Sequence, residues 1–283
     1  IVGADNSVPV DVLPGLTIFS PIDELAYPLN ATIKVKTSFD ADEANWKNIV
    51  WRLNGKLFKP DTAGAPFFIT ANRVGKWSLE AVLTIKDPVT GASTEMRDRI
   101  TFAVKPCEIS LSPGRKVFDM AVQNTQGLDL AVSLDGKTVE RPGKAVPWQG
   151  NDIIAVVEPV AWSMVATPTA CAAIDTDEES FSAGLQFSSH GAATVLATVT
   201  VRIAGADDYF RRHAKNFEDE FEEPVFTFPA VRADLWAIKQ EWMPFGGKFP
   251  TRAIQGTQRL FAIENGTVRI NNKEYTCLKE GIL

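Results

Sequence analysis

A chain of 283 residues, 45% hydrophobic and 23% charged, has the composition of a globular protein and the length of two or three domains. Its net charge of -6 comes without any run of Lys and Arg, which excludes nucleic acid and anionic membrane surfaces as expected partners. No stretch of about 18 apolar residues occurs, so no helical membrane span is expected.

The first segment, residues 1–13, opens "IVGADNSVPV" with neither Met nor a charged region before an apolar core. It reads as the start of a mature form or an excised fragment, and the expected location is extracellular, cell-surface or virion-associated. The three cysteines, Cys107, Cys171 and Cys277, are far apart and odd in number. That spacing leaves open one bridge or three thiols, and it rules out a dense disulfide framework.

Strand patterning dominates from residue 14 onward. In "ATIKVKTSF" Ile33, Val35 and Phe39 share one face and Lys34, Lys36 and Ser38 the other, the period of two of a half-buried strand. "NIVWRLNG" sets Ile49, Trp51 and Leu53 together and ends in Asn54-Gly55, both tolerant of the positive φ that a type I′ hairpin needs. "GKWSLEAVLTI" aligns Trp77, Leu79, Ala81, Leu83 and Ile85; "DRITFAVK" aligns Ile100, Phe102 and Val104. Short strands between Pro, Gly and Asp turns predict a β-sandwich over 14–105.

A second sandwich is expected over 106–205. "CEISLSP" echoes "LTIFSP" of the first unit, and "LDLAVSLDGKTV" aligns Leu128, Leu130, Val132 and Leu134 before an Asp135-Gly136 turn. "GAATVLATVTVRI" aligns Val195, Ala197, Val199, Val201 and Ile203 and matches the place of "GKWSLEAVLTI". The order of elements therefore reads as an internal repeat with longer loops in the second copy.

Residues 160–201 carry Trp162-Ser163, then Ala173-Ile174-Asp175, then Gly191 followed by Ala192, Ala193 and Val195. In this the segment resembles the bacterial immunoglobulin-like domains of the group-2 type. The first unit resembles bacterial Ig or PKD-like modules more loosely, through Trp51, Gly75 and Trp77. The resemblance implies core tryptophans at 51 and 162 and a role as spacer, adhesin stalk, virion decoration or accessory unit of a secreted enzyme.

The texture changes in residues 206–283. "DDYFRRHAKNFEDEFEEP" places Phe210, Phe217 and Phe221 at helical spacing and predicts a short amphipathic helix over 207–222. "VFTFPAVRADLWAIKQEWMPFGGKFPTR" is rich in aromatics, and "TVRINNKEYTCL" predicts a hairpin turning at Asn271-Asn272. The segment reads as a third small domain or as an extension packed on the second sandwich. Trp242, Met243, Phe245 and Phe249, beside Gly246 and Gly247, are the expected interaction residues, since aromatics and Met are enriched at interface hot spots.

Catalytic chemistry finds little support. The two histidines are His190 and His213, and His190 with Cys171 is the one thiol–imidazole pair to be imagined. There is no His-Glu-x-x-His, Cys-x-x-Cys or Walker loop. Acids alternate in "FDADEANW" and "IDTDEES", a pattern that could hold calcium but more often marks a solvated turn, so no cofactor is expected.

The expectation is an all-β protein of two tandem Ig-like sandwiches with a C-terminal extension holding one short helix and a hairpin. Its expected role is non-catalytic, a structural or binding component of a bacterial surface, secreted or phage-like assembly, with a protein partner or self-assembly. One rival is a glycan- or peptidoglycan-binding accessory region, which predicts a row of exposed Trp on a sheet face; "IFSPIDELAYPLN" resembles the β-domains appended to some cell-wall synthases. The other is an enzyme with a C-terminal cleft lined by acids such as Glu218 or Asp234.

Overall fold

The computed structural model describes residues 15–38, 48–60, 67–86, 89–120, 122–205, 210 and 223–238, and the backbone alone of 267–270 and 273–276. Nearly all of the regular structure is β-strand. In the first unit β1 (Ile18–Ser20), β2 (Ala26–Pro28), β3 (Thr32–Thr37), β4 (Ile49–Leu53), β5 (Lys56–Phe58), β6 (Phe67–Thr70), β7 (Gly75–Lys86) and β8 (Ser93–Lys105) form two sheets, ordered β1-β3-β6 and β2-β8-β7-β4-β5.

The alternation read from sequence holds residue by residue. Trp51, Trp77, Leu79, Ala81, Leu83, Ile100, Phe102 and Val104 are buried while their neighbours face outward. Trp51 meets Phe67 edge-on at 4.8 Å between ring centroids, and Trp77 stacks on Phe102 at 5.9 Å while its indole N–H donates to the Arg73 carbonyl at 2.8 Å. The predicted turn at Asn54-Gly55 has φ of 52° and 76° at its two residues.

The second unit has three sheets. β9 (Cys107–Ser112), β11 (Thr125–Leu134), β12 (Lys137–Thr138), β16 (Ala172–Thr176) and β17 (Ser182–Phe187) form the first. β10 (Arg115–Asp119), β15 (Ala161–Thr167), β18 (Gly191–Thr198) and β21 (Val231–Ile238) form the second, ordered β10-β21-β18-β15. The two face each other, with Phe118 meeting Phe187 edge-on at 5.2 Å. β13 (Ala145–Gln149), β14 (Ile153–Val157), β19 (Thr200–Gly205) and β20 (Val225–Thr227) form the third. β18 and β19 are separated only by the buried Val199, so one continuous stretch passes from the second sheet to the third.

Two expectations change. The hairpin turn recurs, since Asp135-Gly136 has φ of 52° and 73°, but the strands around it do not match those of the first unit. β4 pairs with β7 in one sheet, whereas β11 and β18 lie in different sheets. Turn chemistry is local and recurs wherever positive φ is needed; strand neighbours are set by distant chain. Trp162 is a core tryptophan only in part. On the edge strand β15 it packs against the core with Met164 and Ala166, yet it is only partly buried and its indole N–H is enclosed without a partner, whereas Trp51 is 2% exposed.

Beyond residue 205, β20 and β21 join sheets of the second unit. β21 runs parallel to β10 and antiparallel to β18, between them, with Leu235 and Ala233 buried. β22 (Thr267–Ile270) and β23 (Lys273–Thr276) pair antiparallel with Ile270 opposite Lys273, the hairpin expected there. Of the predicted helix only Phe210 is described; it is helical and buried.

The two units meet through an ordered junction. Only Pro106 separates β8 from β9, and its carbonyl accepts the Asp135 N–H at 2.8 Å. Trp148 Nε1 donates to the Ala26 carbonyl at 2.8 Å, and the Gln149 amide bonds the Ala26 N–H and the Glu24 carbonyl, each at 2.8 Å. Lys105 pairs with Asp135 at 2.8 Å, bonds the Trp148 carbonyl, and lies 5.3 Å from the Trp148 ring centroid. Tyr27 packs edge-on against Phe226 at 5.6 Å. These contacts make one continuous buried core across both units.

Candidate functional site

A groove of about 350 Å³ lies on the outer face of the β10-β21-β18-β15 sheet. Its lining includes Gly114, Arg115, Ala192, Thr194, Arg232, Asp234 and Trp236. The local cause is the period-two pattern of "VRADLWAI". Ala233, Leu235 and Ala237 point into the core, so Arg232, Asp234 and Trp236 must point out.

Register brings the rest together. Arg115 lies opposite Asp234 and Val117 opposite Trp236 on one side; Thr194 lies opposite Asp234 and Ala192 opposite Trp236 on the other. The Arg115 guanidinium reaches diagonally over the indole, 5.0 Å from the ring centroid. Ala192 presents only a methyl group beside the ring on the β18 side, and Trp236 is half-buried. Asp234 is fully engaged. It accepts from Arg232 Nε at 2.9 and 3.0 Å and pairs with Arg232 Nη2 at 2.8 Å, and the Thr194 hydroxyl donates to it at 2.8 Å. The Asp234 backbone N–H donates to the Gly114 carbonyl at 2.9 Å, which holds the loop before β10 beside the groove.

The Arg232 hydrogen bond, then the Thr194 hydroxyl, hold the Asp234 carboxyl below the usual carboxylate range. A carboxylate with a depressed pKa in an ion pair is a poor general acid, which weakens the enzymatic expectation built on Asp234. It also sets a pH dependence. The folded pKa lies below the unfolded one, so the stabilisation is complete above the unfolded value and is lost as pH falls through the folded value. Asp234→Asn is expected to lower the melting temperature by a few degrees at most at neutral pH. The gap from wild type should close in acid, as thermal melts along a pH series would show.

The imagined thiol–imidazole pair does not form. His190 is exposed, while Cys171 is buried and its thiol donates to the Ala192 carbonyl at 3.7 Å. Burial pushes the Cys171 thiol up, and it pushes Cys107 up to about 12, which disfavours the thiolate in both. Both are free of disulfide bonding. Among the described residues no group of three His, Cys, Asp or Glu is placed to hold a metal ion. In the "IDTDEES" loop Asp177 accepts the Glu179 N–H at 2.9 Å, the geometry of a solvated turn.

The expected interaction residues Trp242, Met243, Phe245 and Phe249 lie outside the described residues, as do His213, Glu218 and Cys277. The row of exposed Trp that a glycan-binding face predicts is not formed by the described tryptophans: Trp51, Trp77 and Trp148 are buried, and Trp236 alone lies in the groove. No described helix is long and apolar enough to cross a membrane.

No protein-family model matches this chain, and no curated protein matches its sequence. Among solved structures, the fibronectin(III)-like modules of Clostridium thermocellum CbhA are similar at 14% identity and a TM-score of 0.26, covering 79% of this chain and 94% of theirs. Human protocadherin-24 EC1-2 is similar at 8% identity and a TM-score of 0.21, covering 81% and 99%. A SusE-like surface located polysaccharide binding protein from the Bacteroides thetaiotaomicron heparin utilisation locus is similar at 6% identity and a TM-score of 0.20, covering 79% and 91%. At that level no function passes from those proteins to this chain.

Proposed function

We propose that this protein is a non-catalytic binding component in which two sandwiches, fixed end to end, present the outer face of the second unit as a glycan-contacting surface. The observation that carries the reading is the Trp236 groove, an indole on an open sheet face fenced by Arg115, Thr194, Arg232 and Asp234. An aromatic face with a few fixed polar groups is the usual chemistry of a small-ligand site. Sugars offer an apolar ring face to the indole and hydroxyls to the fence. The groups already hydrogen-bonded to one another are preorganised, so little ordering cost remains on binding. Extracellular or surface location follows as part of the same proposal, as does a second unit that extends through β21.

The test is affinity electrophoresis of wild type and Trp236→Ala through gels containing neutral and acidic polysaccharides. Retardation of the wild type on at least one polysaccharide, reduced roughly tenfold or more in the variant, is the expected result. Equal migration of the two on every gel would refute it.

A second reading, self-assembly by strand addition, is favoured by β15. This seven-residue edge strand, "AWSMVAT", has no charged residue and no Pro, and Val165 is 69% exposed. Edges of that kind invite pairing with a second copy. Light scattering of the purified chain should then give a multiple of 31.0 kDa that Val165→Lys returns to the monomer mass. A wild type that is monomeric at every concentration would remove this reading.

A further inference from the structure

We infer that the Trp236 groove selects glycans bearing carboxylates, with Arg115 as the group that reads the negative charge. This inference rests on the groove being the binding site. The lining holds two arginines and one aspartate, and the roles of the two arginines differ. Arg232 is committed: three of its contacts go to Asp234, which leaves that pair neutral as a unit. Arg115 makes no salt bridge or hydrogen bond to a carboxylate among the described residues; it lies 5.0 Å from the Trp236 ring centroid, and its charge helps hold the Asp234 carboxyl down, so two arginines share one aspartate and the lining keeps a net positive charge.

A guanidinium whose central carbon lies 5.0 Å from an indole centroid uses its charge on the ring and still carries five N–H donors, which the ring face does not satisfy. A ligand whose ring packs on the exposed part of the indole can therefore bring a substituent to those donors. The fork geometry of two N–H groups fits the two oxygens of a carboxylate. A neutral hexose would use the same indole and leave the net positive charge of the lining unmatched. The chain as a whole is at -6, so general electrostatics would repel an acidic polymer. Selection for it must come from this local cation, at short range and sensitive to salt.

The alternatives within the molecule are poorer. The junction around Trp148 and Lys105 is filled by its own partners, with Asp135 already on the lysine. Cys171 is enclosed and protonated.

The experiment uses the full chain and three uronic-acid polymers of different stereochemistry: polygalacturonate, alginate and hyaluronan. Each is paired with its carboxyl-reduced, neutral form, and an Asp/Glu-rich peptide is included. Titration calorimetry is run on wild type, Trp236→Ala, Arg115→Gln and Arg115→Lys, with thermal melts to confirm folding. At least one acidic polymer is expected to bind roughly tenfold more tightly than its reduced form, the scale of one charge-assisted hydrogen bond. Arg115→Gln should erase that difference, Arg115→Lys should restore part of it, and added salt should reduce it. Equal binding of acidic and reduced forms, abolished by Trp236→Ala, would overturn this inference and leave the glycan-binding reading standing. Binding of the peptide alone, or no binding sensitive to Trp236, would overturn both.

Discussion

Trp148→Ala is expected to lower the free energy of unfolding by about 3–5 kcal/mol, the usual range for deleting a buried aromatic side chain. Trp148 is 1% exposed and lies where the two sandwiches meet. Its indole N–H is bonded to the Ala26 carbonyl of the first unit, and Lys105 sits over its ring. Removing it opens a cavity, orphans a buried carbonyl and takes away one side of the Lys105 site. The second consequence is mechanical. The units are joined by a single residue, Pro106, and held by contacts that centre on Trp148 and Gln149. Denaturant unfolding should change from one transition toward two as the coupling between the units weakens. Trp148→Phe keeps a ring but loses the hydrogen bond, and should cost less, about 1–2 kcal/mol plus the volume lost. A Trp148→Ala midpoint within the error of wild type, with one transition, would show that the units stay coupled without Trp148 and that it does not hold the junction.

Gly191→Ala should be the next most damaging small change, at about 1–3 kcal/mol, although it adds only a methyl group. A Cβ at residue 191 would lie 2.6 Å from both Cys171 Sγ and the Thr167 carbonyl oxygen, and 3.0 Å from Cys171 Cβ. The Thr167 oxygen is backbone, held by the tight connection in which the Cys171 N–H donates to the Pro168 carbonyl at 2.9 Å, so it cannot move aside as a side chain would. Cys171→Ala on the same background should recover part of the loss and not all of it, because it removes the sulfur and leaves the carbonyl. A double-mutant cycle read by chemical denaturation measures that coupling. Full recovery would place the whole clash on the thiol, and no loss in the single variant would show that β18 shifts freely.

Gly191 also shows how much was legible before the structure. In the sequence it opens a small-residue strand, as Gly75 opens the Trp77 strand of the first unit. The two serve different ends: Gly75 has φ of 123°, a backbone need, while Gly191 is a close approach. The faces of β3, β4, β7, β8, β11 and β18 were legible because one buried face imposes a period of two on the residues themselves. The turns at Asn54-Gly55 and Asp135-Gly136 were legible because positive φ restricts residue type. What was not legible is which strands meet. The pairing of β10 with β21 is parallel and joins segments more than a hundred residues apart in the chain. The pairing sets Arg115 against Trp236, so the groove could not be read from either segment alone. One signal was present: "VRADLWAI" alternates like any half-buried strand, and reading it as a strand would have put Arg232, Asp234 and Trp236 on one face.

The most direct measurement is a map of amide chemical-shift changes in the isotopically labelled chain as a retarding polysaccharide is added. The predicted result is a contiguous set of perturbed amides on β10, β18 and β21 around Trp236, absent when the same titration is run on Trp236→Ala. Perturbations confined to other strands, with those three unchanged, would contradict the assignment of the groove as the binding face.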